Sequence, residues 1–471
     1  MALEILQEQV EAILESGDKK QLHEFLDHQN ISDVADLIDQ MPEHDSRIIA
    51  AMSVHRAASV FKILDLNAQK NIIKTLPPIV TANLLNELPP DDRTDFLEEL
   101  PSNAVRELIK LLNNEERKIT LSLLGYPENS VGRLMTPDYV YVYESNTVQQ
   151  VLDTVRRVGK NSETIDVIYV INEKGELLDD IRIREFILAS PDKKVKELMD
   201  DRVISLNAYQ DQEEAAEVFR MNNRVALPVV SNSNKLLGII TIDDILWVAS
   251  EEFSEDIQKI GGTQALEEPY LDINLFKLIR KRVGWLLALF LSELLTTSAM
   301  TYFSDEMQKV AILSIFIPLI TSSGGNSGSQ ASTLIIQAMA VGEITIADWW
   351  RVMRREILSG LLLGVILGAV GFLRIQVWHE LIQHGVMHME NVDVRNSYLQ
   401  HSTAVGLTIG CSLIGIVLWG TLAGSMLPIF LKRLGADPAA SSAPFVATLV
   451  DVTGIIIYFS VAYIILSGIL L

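Results

Sequence analysis

The sequence predicts a multidomain chain: an all-α superhelical N-terminal domain (1–130), an α/β domain made of a tandem repeat pair (131–250), a connecting helix and linker (242–280), and a five-span α-helical membrane domain (281–471). Three observations carry this reading. A 12-residue period marks the first quarter, a longer repeat alternates strand and helix patterns, and the long apolar runs all lie beyond residue 280.

The short period is written by Met52, Leu64, Leu76, Leu88, Leu100, Leu112 and Leu124, followed by Ser53, Asp65, Pro77, Pro89, Pro101, Asn113 and Gly125. Each unit offers a helix-starting residue and about two turns of amphipathic helix. Such helices cannot bury a face alone, so they must stack. Asp91 and Asp92 suit a first turn, where the helix dipole favours acids. Asp95, Glu98 and Glu99 carry acid on to the last turn, where it does not, and only Arg93 in that stretch offsets them. A divalent cation or a basic partner surface would resolve the conflict. The acidic, amphipathic start has neither a basic n-region nor an apolar core, so it is not read as a signal peptide, and a cytosolic N-terminus is expected.

In the longer repeat, Leu134-Met135-Thr136-Pro137 recurs as Leu198-Met199-Asp200-Asp201, and Leu177-Leu178-Asp179-Asp180-Ile181-Arg182 recurs as Leu236-Leu237-Gly238-Ile239-Ile240-Thr241. Each copy contains a helix (147–158; 211–222), then a β-rich strand (165–171; 226–230), a turn, a strand and a helix. The second copy runs into a helix over 242–259, ended by Gly261-Gly262. That helix holds Asp243, Asp244, Glu251, Glu252, Glu255 and Asp256 against Lys259. Its like charges at spacing four repel. Asp211, Glu213 and Glu214 add acid in the same copy, and carboxylate oxygens with retained water are what Mg²⁺ prefers.

The chain has 39 basic and 61 acidic residues, a net charge of −22. From Leu271 onward there are 12 of each, which leaves 27 basic and 49 acidic residues, the whole excess, in 1–270. Such a field attracts cations and argues against nucleic acid as a partner. The single cysteine, Cys411, excludes an intrachain disulfide and is read as a buried inert thiol.

Apolar segments fall at about 284–303, 310–341, 357–377, 402–431 and 444–471, each long enough to span a bilayer. Basic residues gather before the first and third and after the fourth, so the positive-inside rule puts the N-terminus in the cytosol and the C-terminus outside. Asp451 lies in the middle of the last segment. A charge at that depth costs at least about 2.5–3.5 kcal/mol, so it faces a bundle interior or a watery path. The chain has no Lys or Arg after Arg433, so a counter-ion must come from solution or from another helix. Glu293 is a second intramembrane acid. His379, His384 and His388 are read as part of a flexible polar outer loop.

The second segment contains Pro318-Leu-Ile-Thr-Ser-Ser-Gly-Gly-Asn-Ser-Gly-Ser-Gln330. Together with Asp437-Pro438, Ser442-Ala443-Pro444 and Ala447-x-x-x-Asp451-Val-Thr-Gly454, it resembles the MgtE family of Mg²⁺ channels, and the repeat pair resembles a tandem CBS module. The resemblance implies a homodimer whose pore runs between the second and fifth spans of both chains. Asp451 and the Ala447 carbonyl would face the hydrated ion there, with Asp437 at the cytosolic mouth. Regulatory Mg²⁺ is expected at Asp91, Asp95, Asp211, Glu213, Asp244, Glu252, Glu255 and Asp256. An adenosine nucleotide such as ATP is expected, at most once, at Thr241 and Asp244. The first copy departs from that motif with Asp179, Arg182 and Glu185, and an Asn common before the fifth-span proline is Ala443 here. The expected function is passive, Mg²⁺-gated inward Mg²⁺ flux, with a channel for Co²⁺, Ni²⁺ or Mn²⁺ and a pore-less membrane-anchored sensor as alternatives. A divalent ion gains about 4.6 kcal/mol per 100 mV on moving inward, so no nucleotide hydrolysis is needed.

Overall fold

The 12-residue units become short helices in the computed structural model, which describes residues 2–200, 202–266, 270–271 and 273–470; Asp201 of the repeat lies outside them. The helices are α1 (Ala2–Ser16), α2 (Lys19–Asp27), α3 (Ile31–Gln40), α4 (Asp45–Ala51), α5 (Val54–Phe61), α6 (Leu66–Thr75), α7 (Pro78–Glu87), α8 (Pro90–Glu98), α9 (Ser102–Ile109) and α10 (Asn114–Leu123). From α5 to α10 each starts two residues after a residue of the period. Asp65 caps α6 and Asn113 caps α10, while α7 and α8 begin on proline, whose missing N–H has no helical partner to lose there. Helices pack on those two places along, α3 on α5, α5 on α7, α4 on α6 and α8 on α10. One continuous core from Leu6 to Leu112 results, as stacking requires.

After α11 (Val131–Leu134), each repeat copy forms a three-stranded sheet. The first holds β1 (Tyr141–Tyr143), α12 (Val148–Val158), β2 (Val167–Ile171), β3 (Leu177–Arg182) and α13 (Ile183–Leu188). The second holds β4 (Leu206–Asn207), α14 (Gln212–Asn222), β5 (Ala226–Val230), β6 (Leu236–Thr241) and α15 (Ile242–Ile260). The orders match: the first strand pairs parallel with the second, and the second antiparallel with the third. Every residue of β2 and β5 is buried, which explains their unbroken apolar composition. Tyr169 and Ile171 of one copy share a cluster with Val230 and Ile239 of the other, and reciprocal bonds Leu177 N to Asn234 O and Leu236 N to Gly175 O tie the turns.

The chain divides into two compact units, Met1–Glu251 and Glu252–Leu471. The second contains α16 (Leu275–Tyr302), α17 (Ser304–Lys309), α18 (Ala311–Ala340), α19 (Trp349–Gln383), α20 (Val392–Arg433, kinked at His401) and α21 (Ala443–Leu466). Four of these, α16, α19 with its leading turn, α20 and α21, are long and apolar enough to cross a membrane. The 30-residue α18 has the length but not the apolarity, because its Ser, Gly and Asn residues dilute it. It remains an unbroken helix, and the small residues serve close packing. A Cβ at Gly420 of α20 would lie 2.6 Å from Gly324 O of α18, and one at Gly424 would overlap Gly328 O. A Cβ on Gly368 of α19 would meet Gly410 O of α20 at 2.7 Å. These are small-x-x-x-small seams, in which backbones touch because no side chain intervenes. Cys411, expected to be buried, is exposed on α20. The outward face of a membrane helix is itself apolar, so an apolar run does not imply an interior position.

Candidate ion path and regulatory acids

Asp451 sits one turn after Ala447 on α21, and both are half-buried. Gly325 of α18 stands opposite: a Cβ there would be 3.4 Å from the Ala447 Cβ and 3.6 Å from Asp451 Oδ1. Glycine therefore keeps the space beside the carboxylate free of side chain. The charge within reach of Asp451 is another acid, the exposed Glu293 of α16. Two carboxylates lie within electrostatic reach of each other here with no base acting on Asp451 among the described residues, an arrangement that attracts cations. Serines fix the height of α21. Ser329 Oγ donates to Ala443 O and Ser332 Oγ to Ser441 O, both at 3.0 Å, while Ser442 Oγ caps α21 and accepts Trp285 Nε1 at 3.1 Å. At the other end of the helix, Tyr458 Oη donates to Leu313 O at 3.0 Å.

Asp437 precedes α21. Its Oδ1 accepts Ala439 N at 2.8 Å, and its Oδ2 accepts Lys259 Nζ, from the last turn of α15, at 2.6 Å. Lys259 also pairs with Glu255. Partial burial would lower the Lys259 pKa, but the hydrogen bonds to Asp437 and Glu255 raise it well above the ordinary value. Asp256 is pushed up to about 6 by burial and by the charge of Asp437, with Glu252 and Glu255 adding to it against Lys259. The helix ends at Gly262, whose φ of +76° and contact with the Trp285 ring both exclude a side chain.

In the first unit, α8 presents a second acidic group. Asp91 is 7% exposed, its Oδ1 has no hydrogen-bond partner, and burial and then Asp244, Asp92 and Glu163 hold its pKa well above the usual range. Asp244 is raised to about 7, chiefly by burial and by Asp243 and Asp92, despite the hydroxyl of Thr241 donating to it at 2.7 Å. Burial and then Glu251, Glu99, Asp92 and Glu98 bring Asp95 to about 7. Lys62 is the cation of this group, 3.3 Å from Asp92. Sequence reading missed Glu163, Asp92, Asp243 and Lys62 as one group, because they come from four separate stretches, two in helices and two in connections. Among the described residues no three acids, histidines or cysteines stand close enough together to hold a metal ion.

The single offset expected from Arg93 is corrected. Arg93 points away from the acids into the core, fully buried, donating to Glu116, Thr120 and the carbonyls of Leu85 and Leu88; it is Arg133 that reaches Glu98, at 2.7 Å. Asp211 caps α14, accepting Glu213 N at 2.9 Å, and Glu213 occupies the first turn, an ordinary place for acids. Thr241 and Asp244 close on each other at the end of β6. In the first copy, buried Asp179 instead accepts the Asp180 and Asp200 amides. Arg374, passed over inside the third apolar segment, lies over the rings of Phe316 and Trp378 and hydrogen-bonds Tyr398. His379 is engaged with Tyr398 O, and His384 with Glu380.

Comparison with known proteins matches residues 317–461 to a model described as MgtE, divalent cation transporter, 29–129 to the MgtE intracellular N domain, and 131–192 and 195–251 to CBS domains. The magnesium transporter MgtE of Thermus thermophilus is 37% identical over 364 residues, 77% of this chain and 76% of that protein. The magnesium transporter MgtE of Bacillus subtilis is 28% identical over 451 residues, 96% of this chain and 95% of that one. A solved soluble part of a magnesium transporter matches with TM-score 0.50 and 25% identity, over 53% of this chain and 99% of its own. Identity at the level of the Thermus protein, across three quarters of both sequences, shows that this chain belongs to the MgtE family of magnesium transporters, membrane proteins that move an ion rather than catalyse a reaction.

Proposed function

We propose that this chain is a Mg²⁺-selective, Mg²⁺-gated channel, a homodimer with cytosolic N-terminus and outer C-terminus, that lets Mg²⁺ flow passively inward. The observation that carries the reading is Asp451: a carboxylate in mid-helix, facing a glycine of α18 and another acid, with no basic residue following Arg433 to neutralise it. In a dimer the residue occurs twice, and paired carboxylates with the Ala447 carbonyls suit a hydrated ion, since Mg²⁺ sheds water reluctantly. Asp437 supplies charge at the cytosolic mouth.

Closure is assigned to cytosolic Mg²⁺ at Asp91, Asp95 and Asp244 and at Glu252, Glu255 and Asp256, with Asp211 and Glu213 as further acids of the same half. Raised pKa values at Asp95 and Asp244 support this, because crowded acids bind a cation or a proton more readily than they stay ionised together. Thr241 and Asp244 are the nucleotide contacts proposed at the second CBS copy. The test is Mg²⁺ entry into liposomes reconstituted with purified protein. Wild type carries Mg²⁺, and Asp451→Asn lowers entry by at least about tenfold while the dimer still assembles. Equal flux through both, or none through either, overturns the channel reading; a flux of Mn²⁺ or Co²⁺ equal to that of Mg²⁺ overturns selectivity.

A further inference from the structure

The first two turns of α19 hold three arginines where a helix least accommodates them. Arg351, Arg354 and Arg355 follow the start of the helix at Trp349, whose free N–H groups already carry partial positive charge. Two acids lie nearby. Asp348 is 3.4 Å from Arg351 and is also bonded to Thr345, and Glu356 is within electrostatic reach of Arg355. Three cations and a helix N-terminus against two acids leave a standing positive charge at the start of α19.

The same face of α19 lines an open hollow of about 620 Å³, with Trp350, Arg351, Arg354 and Arg355 followed along the helix by Leu358 and Leu361. These leucines are exposed, Leu358 at 60% and Leu361 at 42%, while the opposite side of the helix, at Val352 and Gly360, is buried. Trp349 and Trp350 are exposed as well, in edge-to-face contact, at the position where tryptophans mark the boundary of a bilayer. A charged turn continued along the helix by an exposed apolar stripe fits one molecule with an anionic head and a hydrocarbon tail. Arginine forks match phosphate oxygens, which a lysine cluster would hold only as point charges.

We infer that the start of α19 is a binding site for an anionic phospholipid, its phosphate held by Arg351, Arg354 and Arg355 beside Trp350 and an acyl chain lying along Leu358 and Leu361. The inference requires only that α19 crosses a bilayer, not that the chain conducts an ion, so it can fail while the channel reading stands, and the reverse.

Native mass spectrometry of the full chain, released from detergent with phosphatidylglycerol or with phosphatidylcholine of the same acyl chains, tests it. The wild type retains phosphatidylglycerol in preference. Arg354→Gln/Arg355→Gln loses that preference by on the order of tenfold, and Arg354→Lys/Arg355→Lys keeps part of it. Inorganic phosphate at equal concentration does not displace the lipid, because it lacks the tail. Equal retention of both lipids by the wild type, or unchanged retention by the glutamine variant, overturns the site. So does displacement by phosphate alone. A glutamine variant that changes subunit number without changing lipid retention assigns the face to a contact between copies instead, and also overturns it.

Discussion

Lys259 Nζ lies 2.6 Å from Asp437 Oδ2, joining the last turn of α15 to the loop that leads into α21 across 178 positions of sequence. The ammonium also pairs with Glu255, so it stands between acids that the proposed function assigns to Mg²⁺. A monovalent cation from the chain itself thus stands where the proposed function places the closing ion.

Replacing Lys259 with Met removes that tether without touching Asp451. The side chains are about one-third exposed, and such a pair is worth up to about 1 kcal/mol, so Mg²⁺ current at low cytosolic Mg²⁺ should rise about two- to fivefold. Inhibition should also depend more steeply on Mg²⁺, since closure then needs the ion. Patch recordings with Mg²⁺ titrated on the cytosolic face measure both, and an unchanged curve removes Lys259 from the gate.

Neutralising Glu252, Glu255 and Asp256 together acts the other way. With Asp437 left as the remaining acid of that group, Mg²⁺ has no second surface to bridge. Half-inhibition should shift to at least about tenfold higher Mg²⁺, with single-channel conductance unchanged. A permanently closed channel would mean that repulsion among these acids, not bridging, sets the open state.

The pH dependence follows from Asp95 and Asp244. Their folded pKa values, about 7, stand above the unfolded value of 3.8, so between these limits the folded state binds the extra protons. The stability that these two groups contribute is therefore fully present below about pH 4 and is lost as pH rises through about 7. In the proposed closure, Mg²⁺ takes over where the protons leave. Millimolar Mg²⁺ should slow proteolysis of the N-terminal half severalfold at pH 8 and little at pH 5.5. Equal protection at both would show that the ion acts elsewhere.

Gly424→Ala places a methyl group against the backbone of Gly328, while Gly284→Ala meets nothing within 4 Å. The first change should cost about 1–3 kcal/mol or more, and the second should be near neutral. Thermal unfolding in detergent, run side by side, compares them.

Much of this arrangement is local and was legible in the sequence. The 12-residue period marks helix starts to within two residues, because proline, Asp65 and Asn113 act on their own turn of chain. Asp451 stands out because a lone charge in an apolar run is costly wherever the partners are. What escaped is pairing across distance: Lys259 with Asp437, Arg93 with Glu116, and Glu163 with the acids of α8 and α15. Periodicity says which face a residue takes, not which element meets it. Small polar residues at membrane depth, as in the middle of α18, suit either unwound backbone or close helix approach, and only the glycines of the facing α20 decide between them.

The glycine seams also bear on how the membrane unit meets bilayers of different thickness. Helices separated by side chains can slide past one another and adjust their spans singly. With backbone resting on backbone at Gly324, Gly328, Gly368, Gly410, Gly420 and Gly424, α18, α19 and α20 cannot. A thinner or thicker membrane must be met by leaning the three as one slab. Acyl chain length then becomes a lever on the inclination of α18, and with it on the width of the proposed passage beside Gly325 and Asp451.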